Sequence, residues 1–256
     1  MFVYLIFFIK EDFMGEFFNS IAQSFEATFI TDNRWLQLLN GLWVTIQITI
    51  VAALIGIVLG FLIAMIRSTH DMQLAGKKCQ KLGDYVLKFL NAVCNVYITV
   101  IRGTPVVIQL MIMYFIIFAS SRNGILAAFI SFGMNSGAYV AEIVRSGIMS
   151  IDKGQFEASR SLGFNYKQTM VLVILPQAFK NILPALGNEF IVLVKETSVA
   201  GYVALQDLTY VGNFIRSRTY EAFFPLITIA AIYLIIVLIL QFFLKKLERR
   251  LRSSDH

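Results

Sequence analysis

Long apolar runs alternate with short polar breaks along this chain, and the runs are too long for the core of a water-soluble domain. They cover residues 41–66, 85–119, 125–148, 182–203 and 222–244. A bilayer's hydrocarbon layer is about 30 Å thick and takes about 20 helical residues to cross. The pattern therefore predicts an all-α membrane domain over 41–245, with five transmembrane helices and termini on opposite sides. The second run, about 35 residues, would reach about 50 Å as one straight helix. Pro105 lies in its middle and removes a backbone donor, which predicts a bend at Arg102-Gly103-Thr104-Pro105. Ahead of the first run, Phe13, Phe17, Ile21, Phe25 and Phe29 recur at every fourth position, with Glu16, Gln23 and Glu26 elsewhere. That spacing makes 1–40 an amphipathic segment, either lying along the outer membrane surface or serving as a packing element of the membrane domain. The apolar stretch 2–9 is too short to span, and no basic residue precedes it as a secretory signal requires.

Composition agrees with this picture. Apolar residues make up 57% of the chain and charged residues only 15%, which excludes an ordinary soluble domain. The net charge of +6 matters less than its distribution. Residues 67–88, 145–180 and 245–256 carry five Lys or Arg each, while the opposite side carries five in all. Cytoplasmic segments are enriched in both residue types, so the amino terminus is expected outside and the carboxyl terminus in the cytoplasm. The cations sit on membrane flanks without the aromatic interleaving that stacks bases, which argues against nucleic acid. The basic tail 246–256 reads as an anchor beside anionic membrane lipid. Cys79 and Cys94 form no disulfide or metal pattern, and His70 and His256 suggest no site for a membrane enzyme. There is no GxxxxGK[ST] phosphate loop, so any ATP hydrolysis belongs to a partner chain.

Ionisable residues inside membrane spans are costly and by default mark a pathway. Arg102, Glu142, Glu189, Lys195 and Glu196 are of this kind. Glu189 and Glu196 are seven apart and share one face of the fourth span; Asn188 and Lys195 share the neighbouring face. Both signs of charge thus lie along one stripe, as they do on an amino-acid zwitterion. Two readings stay open. In one, Lys195 meets a substrate carboxylate and Glu196 an ammonium, with Asn188, Glu189 and Ser198 beside them. In the other, Lys195 pairs with a carboxylate to make burial tolerable. Arg102 either holds the bend by bonding carbonyls that Pro105 frees, or faces the pathway. Glu142 and Arg145, three apart, predict an intrahelical pair, with Glu142 also a pathway candidate.

A polar island at 149–180 interrupts this apolar chain and is expected in the cytoplasm. It holds Glu157-Ala158-Ser159-Arg160-Ser161-Leu162-Gly163 and, after a spacer, Ile174-Leu175-Pro176-Gln177. This pairing resembles the EAA loop of type I ABC-importer permeases, which docks the permease onto its ATPase. Tyr139-Val140-Ala141-Glu142, Lys153-Gly154-Gln155, Leu183-Pro184-Ala185-Leu186-Gly187-Asn188-Glu189-Phe190 and Lys195-Glu196-Thr197-Ser198 resemble the polar amino-acid uptake branch of that family. The likeness runs from about Trp35 to the last span. It implies a permease subunit of an ATP-driven importer in the bacterial cell membrane, moving a polar or charged amino acid. Glu157, Ala158, Arg160, Leu162, Gly163 and Phe164 would then dock the ATPase. The implied partners are two ATPase subunits carrying ATP and Mg, a second permease copy or paralogue, and a separate extracellular or periplasmic solute-binding protein. No cofactor is implied in this chain. Methionine, an opine or a small peptide is the alternative cargo, against which the KETS and LPALGNEF stretches argue. An ATP-independent secondary transporter would usually have more spans and inverted repeats, and would leave the polar island unexplained.

Overall fold

The computed structural model describes residues 18–121 and 123–252, and among them every regular element is helical. Helix α1 (residues 18–30) ends at a sharp corner where Asp32 and Asn33 take left-handed backbone. Arg34, almost buried, closes this corner by donating to Ala27 O and to Asp32 Oδ2. The proposed amphipathic stripe is therefore described only in part, since Phe13 and Phe17 lie outside the described residues. Of the rest, Phe25 is half exposed and stacks on Phe29, which packs against Leu38 and Leu208.

Helix α2 (Arg34–Gln73) carries the first apolar run. Next come α3 (Leu82–Gly103), α4 (Val106–Ile117), α5 (Gly124–Met149) and α6 (Lys153–Ser161), then a continuous helical stretch α7 (Tyr166–Val203). Helices α8 (Leu208–Thr219) and α9 (Phe223–Arg252) complete the bundle. Five of these, α2, α3, α5, α7 and α9, are long and apolar enough to cross a membrane.

The structure refines three expectations. The second run is not one bent helix: Thr104 and Pro105 are extended, so α3 ends and the short α4 begins afresh behind Pro105. The fourth helix starts at Tyr166, not near 182, so only 149–165 remain as a compact polar connection. Pro176 does not delay it, because proline fits near the start of its α-helical part Leu175–Glu196. The stretch 204–221, which the pattern of apolar runs leaves as a connection between the last two spans, contains α8. Its N-cap is Asp207, whose two carboxylate oxygens accept from Thr209 N and Tyr210 N, each at 3.1 Å. Asp207 is fully buried, and burial pushes its carboxyl up to about 6 against those capping bonds.

Packing centres on α2 and α5, which approach so closely that side chains larger than hydrogen are excluded at their crossing. A Cβ on Gly60 would lie 2.5 Å from Val140 Cγ1, and one on Gly137 would lie 3.0 Å from Leu59 Cδ2. In a membrane, association rests on such close contact because lipid tails compete equally for apolar surface. Helix α7 packs on this pair at both ends, through Ile174 and Ile182 against Val144 and Ile148, and through Leu193 and Ala200 against Ile48 and Phe132. Helices α3 and α9 turn Phe89, Val93 and Val96, and Ile235, Leu238 and Ile239, outward. Such faces suit contact with lipid.

Candidate functional site

Helix α6 is held at both ends by its own chain. Asp152 Oδ1 accepts from Gly154 N at 2.6 Å, capping the start. At the end, Gly163 adopts φ +84°, a backbone that glycine takes without steric cost. This lets Gly163 N donate to Arg160 O at 2.9 Å and Phe164 N to Ser159 O at 3.1 Å, the paired closing bonds of a Schellman motif. The inner side of the connection is anchored to the bundle. Phe156 and Ile151 pack on the cluster of Met170, Ile174 and Ile148. Gln177 Nε2 donates to Gln155 Oε1 at 3.3 Å, Asn181 Nδ2 to Ser150 Oγ at 3.0 Å, and Tyr166 Oη to Thr69 Oγ1 at 3.1 Å.

The outer side of α6 is left bare. Glu157, Ala158, Arg160, Leu162 and Gly163 are exposed, and Phe164 is half-buried. Leu162 is 77% exposed although it lies in the most polar part of the chain. Every residue that the EAA resemblance assigns to docking therefore lies on one capped helix end and the turn after it.

The intramembrane candidates do not form one group. Glu189 is buried, accepts from Ser136 Oγ at 3.2 Å, and lies within electrostatic reach of Glu196 and Arg102. Glu196 is half-buried, and its Oε2 is enclosed without a hydrogen-bond donor. Lys195 and Asn188 are exposed on the adjoining face of α7, with Asn188 Nδ2 donating to Pro184 O at 3.3 Å. Glu189 thus senses the charges of Glu196 and Arg102 through space. Ser198 is elsewhere, lining a separate cavity of about 280 Å³ with Tyr202, Tyr210 and Asn213.

Two expected roles change. Arg102 does not bond the carbonyls freed by Pro105: its guanidinium lies over the Tyr139 ring, 5.0 Å from the centroid. Gln109 takes that part, with Nε2 2.7 Å from Ile101 O and 3.0 Å from Thr104 O, and its Oε1 accepting from Asn135 Nδ2 at 3.3 Å. A primary amide one turn inside the new helix reaches these carbonyls, whereas Arg102 projects from the end of the old one. Glu142 pairs with Arg145 Nη2 at 3.4 Å as the spacing predicts, but it also pairs with Arg67. Arg145 Nη1 in turn reaches Asp71 at 3.2 Å, so Glu142 sits in a four-residue network tying α2 to α5 and is already occupied by two guanidinium groups.

Ser136 and Gln109 are neighbours that reading the chain alone did not single out, and Tyr139 entered it only as part of a motif. Their signal was a polar atom inside an apolar run, but nothing local said which helix would face it.

Comparison with known proteins follows the same outline. The family described as "Binding-protein-dependent transport system inner membrane component" matches residues 83–253. The arginine transport system permease protein ArtQ of Bacillus subtilis is 38% identical over 221 residues, covering 85% of this chain and 94% of ArtQ. The putative glutamine transport system permease protein GlnP of Rickettsia typhi is 36% identical over 219 residues, covering 84% of this chain and 93% of GlnP. Among solved structures, an amino acid ABC transporter crystallised with histidines superposes with a TM-score of 0.73 at 40% identity, covering 84% of this chain and 94% of that one. The inward-facing MetNI methionine ABC transporter has the same TM-score at 22% identity, which shows a shared fold.

Proposed function

The chain belongs to the binding-protein-dependent transport system inner membrane component family, and from that premise we propose that it passes a polar or charged amino acid across the bacterial cell membrane. In this reading it is the permease subunit of an ATP-driven importer, and a separate solute-binding protein delivers the amino acid. The observation that carries the proposal is the likeness to named arginine and glutamine permeases along more than nine-tenths of their lengths. The bare outer side of α6 supports the energetic half of it. Two copies of α6, one on this chain and one on a second copy or paralogue, would each seat in a groove of an ATPase subunit. ATP and Mg bind on those partner chains; when they close, the two helices are drawn together and the membrane pathway opens outward. Hydrolysis resets it.

The firm anchoring of α6 fits this task. A push on α6 passes through Phe156 and Gln177 to α7, and through Tyr166 to Thr69 on α2. Along the pathway, Glu196 and Lys195 offer opposite charges to the two ends of a zwitterion, with Glu189 and Asn188 beside them. Glu142 is a poorer candidate because two arginines already hold it.

The test is ATPase stimulation. The chain is co-purified with an ATPase and a solute-binding protein encoded beside it, reconstituted in vesicles, and offered amino acids one at a time. Stimulation by one amino-acid group is expected. An assembled complex that responds to none of them would move the cargo outside the amino-acid class.

A further inference from the structure

Helix α6 is joined through the chain to α5 before it and to α7 after it, so movement of a docked α6 enters those two helices directly. Helix α2 has no such link to α6. At its end beside α6 it is tied to its neighbours by side chains. Tyr166 Oη donates to Thr69 Oγ1 at 3.1 Å and reaches Met72 Sδ at 3.8 Å. Four charges join α2 to α5: Glu142 accepts from Arg67 with one carboxylate oxygen and lies 3.4 Å from Arg145 Nη2 with the other, and Arg145 Nη1 is 3.2 Å from Asp71 Oδ2. Positive and negative groups thus alternate across the contact. Their side chains are only 15% to 30% exposed, and the enclosed Nε atoms of Arg67 and Arg145 have no acceptor among the described residues. Partly buried charges add little net stability over apolar residues of similar volume, and their best-attested use is to fix register. A glycine crossing already holds these two helices farther from α6, where a Cβ on Gly56 would lie 2.8 Å from Ser136 Oγ and one on Gly60 2.5 Å from Val140 Cγ1. Arg67 and Asp71 stand about 10 and about 16 Å beyond Gly60 along α2, at about 1.5 Å per residue. The pair is therefore pinned in two places.

We propose that Arg67, Asp71, Glu142 and Arg145 are positioning residues: they lock α2 to α5 beside α6, so that a pull on α6 turns both helices as one lever. The proposal rests on the reading of this chain as an ATP-driven permease. Two helices in contact at a single crossing can swivel about it, whereas a second contact fixes the angle between them. The glycine crossing is the first contact and the four charges are the second. Beyond the crossing the lever carries Ser136, which lies against Gly56 and donates to the buried Glu189 at 3.2 Å. Without the four-charge lock, α2 would lag behind α5, and ATP would be hydrolysed with the pathway only partly moved.

The experiment counts amino acid accumulated per ATP hydrolysed, in vesicles holding the whole complex with its ATPase and solute-binding protein. Radiolabelled polar amino acids are offered, arginine and glutamine among them. R67E/D71R and E142R/R145E each set like charges opposite one another while leaving the net charge unchanged. In each, the amino acid moved per ATP is expected to fall about fivefold or more while hydrolysis continues. R67E/D71R/E142R/R145E rebuilds the alternation with every sign reversed, and its ratio is expected to return to within about twofold of wild type. Asp71→Asn, which removes one tie, is expected to lower the ratio about twofold. Half-reversed complexes that assemble and keep the wild-type ratio overturn the proposal, whatever their melting temperature, because a merely structural network lowers stability without changing the ratio. If they do not assemble, Asp71→Asn at the wild-type ratio overturns it. A loss that the fourfold reversal does not restore overturns it as well, and so does a changed choice of amino acid at an unchanged ratio, which places Glu142 in the pathway. Wild type that accumulates none of the amino acids with ATP refutes the importer reading itself, a result separable from the others.

Discussion

Replacing Leu162 separates a docking helix from an ordinary surface helix. Its side chain is 77% exposed, so little of it contributes to the stability of the chain itself. Fully burying a leucine is worth about 1.5–3 kcal/mol. If the ATPase covers what is now exposed, about three-quarters of that value, about 1–2 kcal/mol, is available to the complex at each docking helix. At about 1.4 kcal/mol per tenfold, Leu162→Ala should weaken ATPase binding about 5- to 30-fold. Leu162→Glu should weaken it further, by placing a charge in the contact. Thermal stability of the permease alone should move little, within about 0.5 kcal/mol for an exposed site. The assay is titration of labelled ATPase onto the permease in nanodiscs, with the melting temperature of the free permease as control. Affinity of Leu162→Ala within about twofold of wild type would refute the claim that Leu162 is buried on docking.

Other consequences are equally open to measurement. At Gly163 a new side chain meets nothing within 4 Å, so only its φ of +84° resists substitution. Gly163→Val should cost about 1–2 kcal/mol of cap and sharply reduce ATP-driven uptake at normal membrane levels, while Gly163→Asn, which tolerates left-handed backbone, should retain most of it; equal loss in both would mean that the ATPase reads the glycine surface. Glu196→Gln should weaken uptake of a cationic amino acid more than of a neutral one, measured with radiolabelled substrates, and equal losses would favour a structural pairing with Lys195. Asp207 has a folded pKa of about 6 against 3.8 for the free side chain, so the folded state holds its proton more tightly. Its contribution is therefore fully present below about pH 4 and declines as pH rises to about 6, by about 3 kcal/mol for about two pKa steps. Melting temperatures of detergent-solubilised protein should show that decline, and Asp207→Asn, which keeps the capping oxygen without the charge, should flatten it.

The five apolar runs foretell the five long helices because membrane burial demands long uninterrupted apolarity, a signal that accumulates over about 20 residues. Pro105 marks the break in the second run because a missing donor is a local fact. The start of α7 was less legible: Lys167, Pro176 and Lys180 made Tyr166 to Lys180 read as loop, yet they form helix, with Met170, Ile174 and Ala178 packed against Val144 and Ile148, contacts that sequence spacing does not reveal. Helix α8 escaped notice for a similar reason, since its buried face is only Leu208, Val211, Gly212 and Ile215 and its cap depends on a buried Asp207. For the candidate sites, the residues proposed to dock the ATPase were legible as a contiguous motif. The intramembrane charges were legible individually but not in their partners: the Glu142 network needs Arg67 and Asp71 from α2, and Ser136 meets Glu189 from 53 residues away. Pairings of that separation are set by how helices pack.

The most direct test of the central claim is uptake into sealed vesicles. The chain is reconstituted with its ATPase, ATP is enclosed on the ATPase side, and solute-binding protein with radiolabelled arginine or glutamine is added on the other. The account predicts accumulation of one of these or a related polar amino acid that requires ATP and the solute-binding protein and is lost with Leu162→Glu. Accumulation that proceeds without ATP, or that is unaffected by Leu162→Glu, would contradict it.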